Sequence, residues 1–143
     1  MYDCPEPTVG AHEGFAVGGG ATLAFACDVL ISGEGSMLQL IEVSIGMPAP
    51  VNPAWIDIKF GGAIAAELTL SADRYSGRDL VDRGLAAHVV PDDEVLGEAR
   101  AYADRLAAHP QRALVAAKRT MRMLNGIDDF GARVKAAQVA WRG

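Results

Sequence analysis

The feature that most constrains the fold of this chain is a run of three glycines at positions 18–20. The run opens an apolar segment at residues 21–26, so the sequence predicts a tight turn into a buried helix. The first N–H groups of a helix have no partner within it, and the helix dipole places partial positive charge there. Such a turn can bind an oxygen that carries negative charge, either on a phosphate or on an enolate formed during a reaction. The alternative is a tight turn with close packing and no ligand.

Two phosphate-binding motifs are excluded at this turn. No Lys-Ser or Lys-Thr pair follows the glycines, as it would in a P-loop. The Gly-x-Gly-x-x-Gly spacing of a dinucleotide site is also missing. The glycine run therefore needs a second feature to identify its ligand.

Composition narrows the class of protein. The chain has 143 residues, half of them hydrophobic, which favours one globular domain with a real core. Its net charge of −5 argues against a nucleic-acid partner, and no apolar run is long enough to span a membrane. Cys4 and Cys27 have no metal-ligand spacing, so we expect no metal, no redox cofactor and a cytoplasmic location. Three scattered histidines give no local sign of a catalytic triad.

Apolar periodicity and turn residues predict a mixed α/β chain. Strands are expected at 8–11, 28–32, 37–40 and 85–90, with a loop at 42–50. A helix is expected to follow the glycines 18–20 and run to about residue 26. Further helices are expected at 53–60, 63–70 and 76–84, then from about 92, from 110 and from 130. So few short strands make a poor sheet, which indicates that part of the fold lies outside this sequence.

The second informative feature is Glu42, which follows Leu40 and Ile41 and precedes Val43. A carboxylate among apolar residues is costly to bury, and a desolvated carboxylate is a better proton acceptor. A glutamate on a strand edge that points to solvent is the alternative interpretation.

The order and spacing of several segments resemble the crotonase superfamily, also called the enoyl-CoA hydratase/isomerase family. The matching segments are residues 5–14, the glycines 18–20, Cys27-Asp28, Glu42 fourteen positions after Asp28, residues 70–84, Val89-Val90-Pro91 and Ala117-Lys118. The resemblance implies a ββα spiral fold that is partial, because only the C-terminal half of the family is matched. It also divides the chain into residues 1–91, the spiral core with the glycine turn and Glu42, and residues 92–143, a helical trimerisation region.

The resemblance further implies an acyl-CoA substrate, with coenzyme A as part of the substrate and no separate cofactor. Gly19 then supplies one N–H group to the thioester oxygen, and Glu42 is the catalytic carboxylate. The hydratases have a second glutamate where this chain has Thr22. The implied substrate-binding residues are Val17, Gly18 and Leu40 around the thioester and Pro48, Ala49, Pro50 and Asn52 beside the acyl chain.

A single glutamate favours double-bond isomerisation over hydration, since one carboxylate can take a proton from C2 and return it to C4. Residues 41–50 also resemble, without gaps, the Asn-Glu-x-x-Leu-Gly-x-x-Ala-Pro segment of single-glutamate Δ3,Δ2-enoyl-CoA isomerases. A hydratase, lyase or hydrolase that uses Thr22 and water is the alternative within the family. A non-catalytic remnant that keeps only the packing helices is the alternative from another class. The family implies a homotrimer or a dimer of trimers.

The helix after Pro110 has an apolar stripe that the sequence predicts to be buried: Ala113, Leu114, Ala117, Met121 and Leu124. Lys118, Arg119 and Arg122 are then expected on a solvated face, with contact to coenzyme A phosphates as the alternative. In the last segment, the apolar residues Phe130, Val134, Ala137 and Trp141 are expected to need a partner surface.

Overall fold

The computed structural model describes residues 4–48 and 51–141, except for the side chains of Ala140 and Trp141. The strands are β1 (Val9–His12), β2 (Phe15–Val17), β3 (Val29–Gly33), β4 (Met37–Gln39), β5 (Arg74–Ser76) and β6 (His88–Val90). The helices are α1 (Gly19–Ala26), α2 (Val51–Phe60), α3 (Gly62–Ser71), α4 (Gly77–Asp82), α5 (Val95–Ala107), α6 (Gln111–Asn125) and α7 (Phe130–Trp141). Within the described residues, no helix is both long and apolar enough to cross a membrane.

The strands form two small sheets, and each of the consecutive pairs β1-β2 and β3-β4 contributes one strand to each sheet. One sheet has the order β1-β3-β6 with all strands parallel. In the other, of order β2-β4-β5, β2 is parallel to β4 and β5 is antiparallel to it. The chain thus passes from one sheet to the other in β1-β2-α1 and again in β3-β4, which is the predicted spiral arrangement.

Sequence periodicity missed two strands, β2 and β5. Each has three residues, too few for an alternating pattern to be recognised. Both are defined by the pairing with β4, where Ala16 and Tyr75 lie on either side of Leu38. Ala16 and Leu38 are buried, so the core rather than local propensity fixes these strands.

Most buried apolar side chains belong to one cluster between the sheets and helices α1 to α4. Phe25 of α1 belongs to it, is 1% exposed, and contacts Phe60 edge-on, with ring centroids 5.5 Å apart. A second cluster joins Ile31 of β3 to Val95 and Ala99 of α5. Helix α1, which begins at the glycine turn, is therefore fixed by the main core.

The prediction of a buried stripe on α6 is wrong for this chain taken alone. Ala113 and Ala117 are exposed, and Met121 and Leu124 are 53% and 81% exposed. The face that packs on the rest of the chain carries Leu114, Val115 and Lys118. On α7, by contrast, Phe130, Val134 and Ala137 are half-buried, and Phe130 meets Trp55 edge-on.

The expectation of a solvated basic face on α6 is wrong for Lys118. Its side chain is buried, and its ammonium lies 2.7 Å from Asp28 Oδ2 and donates to the Glu6 carbonyl. Desolvation raises the pKa of Asp28, but hydrogen bonds from Lys118 and from Thr8 outweigh it and hold that pKa below its usual value. The pair ties α6 to the loop that follows α1.

Acid should weaken the fold through His12 before it affects most carboxylates. The ring is buried and contacts Ser32 Oγ at 2.9 Å, and burial lowers its pKa below the ordinary value of 6.5. As pH falls below about 6.5, the unfolded chain binds a proton that the folded chain does not, so the free energy of unfolding falls. We expect a loss of about 1 kcal/mol between pH 7 and pH 5.5 in urea denaturation.

The exposed His109 provides the control for this prediction. His109→Gln should keep the pH dependence, whereas His12→Gln should flatten it, whatever its cost in stability at pH 7. An equal slope in His12→Gln and the parent protein would contradict the assignment.

Candidate active site

The turn into α1 has a backbone conformation that depends on glycine. Gly18 has φ 54° and ψ −114°, and its N–H donates to the Gln39 carbonyl at 2.9 Å. Its own carbonyl accepts from the Thr22 N–H at 3.1 Å, as the first bond of the helix. Gly19 and Gly20 are exposed, and no side chain of the described residues caps this end of α1. The positive end of the helix dipole therefore faces outward through two glycine N–H groups.

Glu42 lies against this turn, and it is not on a strand. It begins a 3₁₀ turn, Glu42–Ile45, which ends at Gly46 in the left-handed conformation with φ 72°. Its side chain is half-buried, and a Cβ atom on Gly18 would lie 3.2 Å from Glu42 Oε1. The absence of a side chain at Gly18 is what lets the carboxylate approach the start of α1.

Asn52 connects Glu42 to Thr22. Asn52 lies in the first turn of α2 and is buried, and its Nδ2 donates to Glu42 Oε1 at 2.7 Å. Its Oδ1 accepts a hydrogen bond from the Thr22 hydroxyl. The structure thus brings together four of the residues predicted for the site: Gly18, Thr22, Glu42 and Asn52.

The other predicted site residues are more dispersed. Gly19 is exposed at the start of α1, and Val17, at the end of β2, is 38% exposed. Leu40 is buried in the main core, and Pro48 is half-buried. Ala49 and Pro50 lie outside the described residues. Their roles in substrate binding stay predictions.

Two residues that sequence reasoning missed hold the opposite end of α1. The indole N–H of Trp55 donates to the Phe25 carbonyl at 2.9 Å, and Lys59 Nζ donates to the same carbonyl and to that of Cys27. Burial lowers the pKa of Lys59, while its charge complements the negative end of the helix dipole. Asn52, Trp55 and Lys59 recur every three or four residues, which is the sequence signal for a shared helix face.

Gly18→Ala should destabilise the fold and displace Glu42. The positive φ angle of Gly18 is unfavourable for alanine, and the added methyl group would lie 3.2 Å from Glu42 Oε1. We therefore expect the free energy of unfolding, measured by urea denaturation, to fall by about 1–3 kcal/mol.

Gly20→Ala is the matched control for that substitution. A Cβ atom there meets nothing within 4 Å, and Gly20 has helical backbone, so the free energy of unfolding should stay equal or rise slightly. Equal stability of Gly18→Ala and Gly20→Ala would contradict this account of the turn.

Comparison of the sequence with known proteins identifies relatives of this chain. Residues 1–136 match the family model described as Enoyl-CoA hydratase/isomerase. A putative enoyl-CoA hydratase of Thermus thermophilus is 33% identical over 142 residues, which cover 99% of this chain and 56% of that protein. The 2,3-dehydroadipyl-CoA hydratase of Escherichia coli is 32% identical over 118 residues, 82% of this chain and 46% of that protein.

A solved structure shows the same fold. The crystal structure of an enoyl-CoA hydratase from Mycobacterium tuberculosis superposes with a TM-score of 0.82 at 26% sequence identity. The match covers 97% of this chain and 65% of that one. The chain spans about half the length of the curated relatives it matches, so its fold is part of theirs.

Proposed function

Because the chain belongs to the enoyl-CoA hydratase/isomerase family, we propose that it moves the double bond of an enoyl-CoA from the 3 to the 2 position. The relatives named above are hydratases, so the isomerase activity is our inference from the residues of this chain. The substrate would be an acyl-CoA thioester, with coenzyme A as its carrier.

One observation carries the proposal: the glycine turn has Glu42 beside it, and the Thr22 hydroxyl is bonded to Asn52. Hydration needs one group to activate water and another to protonate carbon. Thr22 is a poor base, and its hydroxyl is already engaged by Asn52 Oδ1 and by the Gly18 carbonyl at 3.4 Å. Isomerisation needs only one group that takes and returns a proton, and Glu42 meets that need.

In the proposed reaction, Glu42 removes a proton from C2 of the 3-enoyl thioester. The electron pair of the broken C–H bond moves into the thioester, whose oxygen becomes a dienolate oxygen. The N–H of Gly19, at the positive end of α1, stabilises that oxygen. Glu42 then returns the proton to C4, and the double bond lies between C2 and C3. No water is consumed, and the carboxylate is regenerated.

The test measures two reactions on the same protein. A 3-enoyl-CoA is expected to give the conjugated 2-enoyl-CoA, and a 2-enoyl-CoA with water is expected to be hydrated far more slowly. Thr22→Ala should retain most of the isomerisation. Faster hydration than isomerisation would favour the hydratase alternative, and the failure of both reactions in a folded sample would favour a non-catalytic role.

A second proposal, assembly into a homotrimer or a dimer of trimers, rests on α6. The stripe of Ala113, Ala117, Met121 and Leu124 recurs at the spacing of a buried helix face, yet this chain leaves it exposed. Another copy of the chain would cover it.

Sedimentation tests the assembly, with Met121→Glu on the stripe and Arg112→Glu, exposed on the same helix, as the control. We expect a discrete trimer or hexamer that only Met121→Glu dissociates. A stable monomer would contradict this proposal and leave the reaction to be judged by its own assay.

A further inference from the structure

Asn52 is among the most deeply buried polar residues of the described chain, at 3% exposure, and both ends of its amide are used. A carboxylate can only accept hydrogen bonds when it is ionised, so the amide must present its NH₂ group to Glu42. The carbonyl end is then left for Thr22, whose hydroxyl is the donor. Glu42 therefore fixes which end of the amide faces the carboxylate, and the hydroxyl of Thr22 anchors the other end.

The contacts leave the two carboxylate oxygens of Glu42 in different environments. Oε1 accepts from Asn52 and lies over Gly18. Within residues 4–48 and 51–141, no hydrogen bond to Oε2 is present. One oxygen is held, and the other is left to exchange a proton.

Helix α2 is itself fixed relative to the glycine helix, which makes Asn52 a rigid support. Trp55 and Lys59, on the same face of α2 as Asn52, bond to carbonyl groups at the C-terminal end of α1. Asn52 also bonds to Thr22, the fourth residue of α1, near the N-terminal end of that helix. Contacts at both ends of α1 thus set the position of the amide.

We infer that Asn52 is a positioning residue that holds Glu42 by Oε1 and leaves Oε2 to move the proton, and that Thr22 anchors the carbonyl end of the Asn52 amide for this task. The inference rests on the proposed function for the proton transfer itself. It gives Thr22 a part in the site without making it an acid or a base. It also assigns Asn52 to the carboxylate rather than to the acyl chain.

Charged groups on the neighbouring elements are engaged elsewhere. On α3, Glu67 pairs with an arginine at 3.1 Å, and on α2, Asp57 pairs with another at 3.2 Å. Lys59 binds the end of α1, and α1 itself carries no charged residue. Among the described residues, Asn52 is thus the side chain that hydrogen-bonds the Glu42 carboxylate, beside the positive end of α1.

The test follows Glu42 directly by carbon-13 NMR of glutamate side-chain carboxyl groups, with its resonance assigned by its loss in Glu42→Gln. Thr22→Val keeps the shape of the side chain but removes the hydroxyl, and Thr22→Ser keeps the hydroxyl. Thr22→Val removes the hydroxyl that anchors Asn52 Oδ1, so the hydrogen bond from Asn52 Nδ2 to the carboxylate should weaken. We expect the titration midpoint to rise by about 0.5–1 pH unit in Thr22→Val and to stay in place in Thr22→Ser.

Asn52→Asp is the second variant, because it keeps the size of the side chain and places a carboxylate beside Glu42. The two carboxyl groups should titrate as a coupled pair whose upper midpoint exceeds that of the parent protein by more than about one pH unit. Circular dichroism confirms that each variant is folded. Unchanged midpoints in folded Thr22→Val and Asn52→Asp would overturn the inference and leave Asn52 as a structural residue.

Kinetics on the same variants separate this inference from the proposed function. The acidic limb of the kcat profile for isomerisation should move with the NMR midpoint. Moved NMR midpoints in a protein that isomerises nothing would support the positioning role and reject the isomerase. Isomerisation in variants with unmoved NMR midpoints would support the isomerase and reject the positioning role of Asn52.

Discussion

Glu42→Gln is expected to lower the rate of 3-enoyl-CoA isomerisation by about 10²–10⁴-fold, the range that a positioned proton-transfer group contributes. Glutamine has nearly the same shape, and its carbonyl oxygen can still accept from Asn52 Nδ2, so the turn beside Gly18 should persist. What it loses is the ability to take a proton from C2 at neutral pH. The measurement is kcat and KM from the appearance of the conjugated thioester.

The loss should fall on kcat, because the substitution leaves unchanged the N–H groups at the start of α1 that we propose as the site of the thioester oxygen. Glu34→Gln is the matched control. Glu34 is exposed in the turn after β3, and it makes a long, exposed ion pair with Arg78 at 3.9 Å. It should behave as the parent protein in both constants. A Glu42→Gln variant that keeps more than half of the parent rate would reject Glu42 as the proton carrier.

Asp28→Ala is expected to cost about 3–5 kcal/mol in the free energy of unfolding, the largest stability effect predicted for this chain. The substitution leaves the ammonium of Lys118 buried with no counter-charge. It also removes the acceptor of the Thr8 N–H and hydroxyl. Since domains of this size are stable by only about 5–15 kcal/mol, much of the protein should unfold at moderate urea concentrations.

A double substitution shows whether the uncompensated charge causes the loss. Asp28→Ala with Lys118→Met removes both charges, so it should be more stable than Asp28→Ala alone. Arg78→Ala, which removes half of the exposed pair with Glu34, should change stability little. The charge explanation is wrong if the double variant is as unstable as the sum of the two single ones.

The fold and the residues that meet beside the glycine turn were predictable because their signals are local or lie in a fixed order along the chain. The glycine run predicted the turn into α1, and the structure begins that helix at Gly19. The order of segments predicted a partial crotonase spiral, which the family match and the superposition confirm. Glu42 was found from its apolar neighbours and its spacing from Asp28, although its local structure is a 3₁₀ turn rather than a strand or an irregular loop.

Other features depend on pairs of residues far apart in the chain, which a local pattern does not report. The sequence places Lys118 on a basic face, but it is buried because Asp28, ninety positions earlier, lies 2.7 Å away. The apolar stripe of α6 has the period of a buried face, yet period alone does not tell whether the covering surface belongs to the same chain.

The sequence by itself therefore determined which chemical groups the candidate site has: the glycine turn, Glu42, and Thr22 at the position where the family resemblance implies a second glutamate in hydratases. Glycine freedom, helix polarity and apolar periodicity act over a few residues, so they can be read along the chain. Only the tertiary structure decided how the groups are arranged. It places Asn52 between Thr22 and Glu42, across thirty and ten positions, because α2 packs along α1 and brings these side chains within hydrogen-bonding distance.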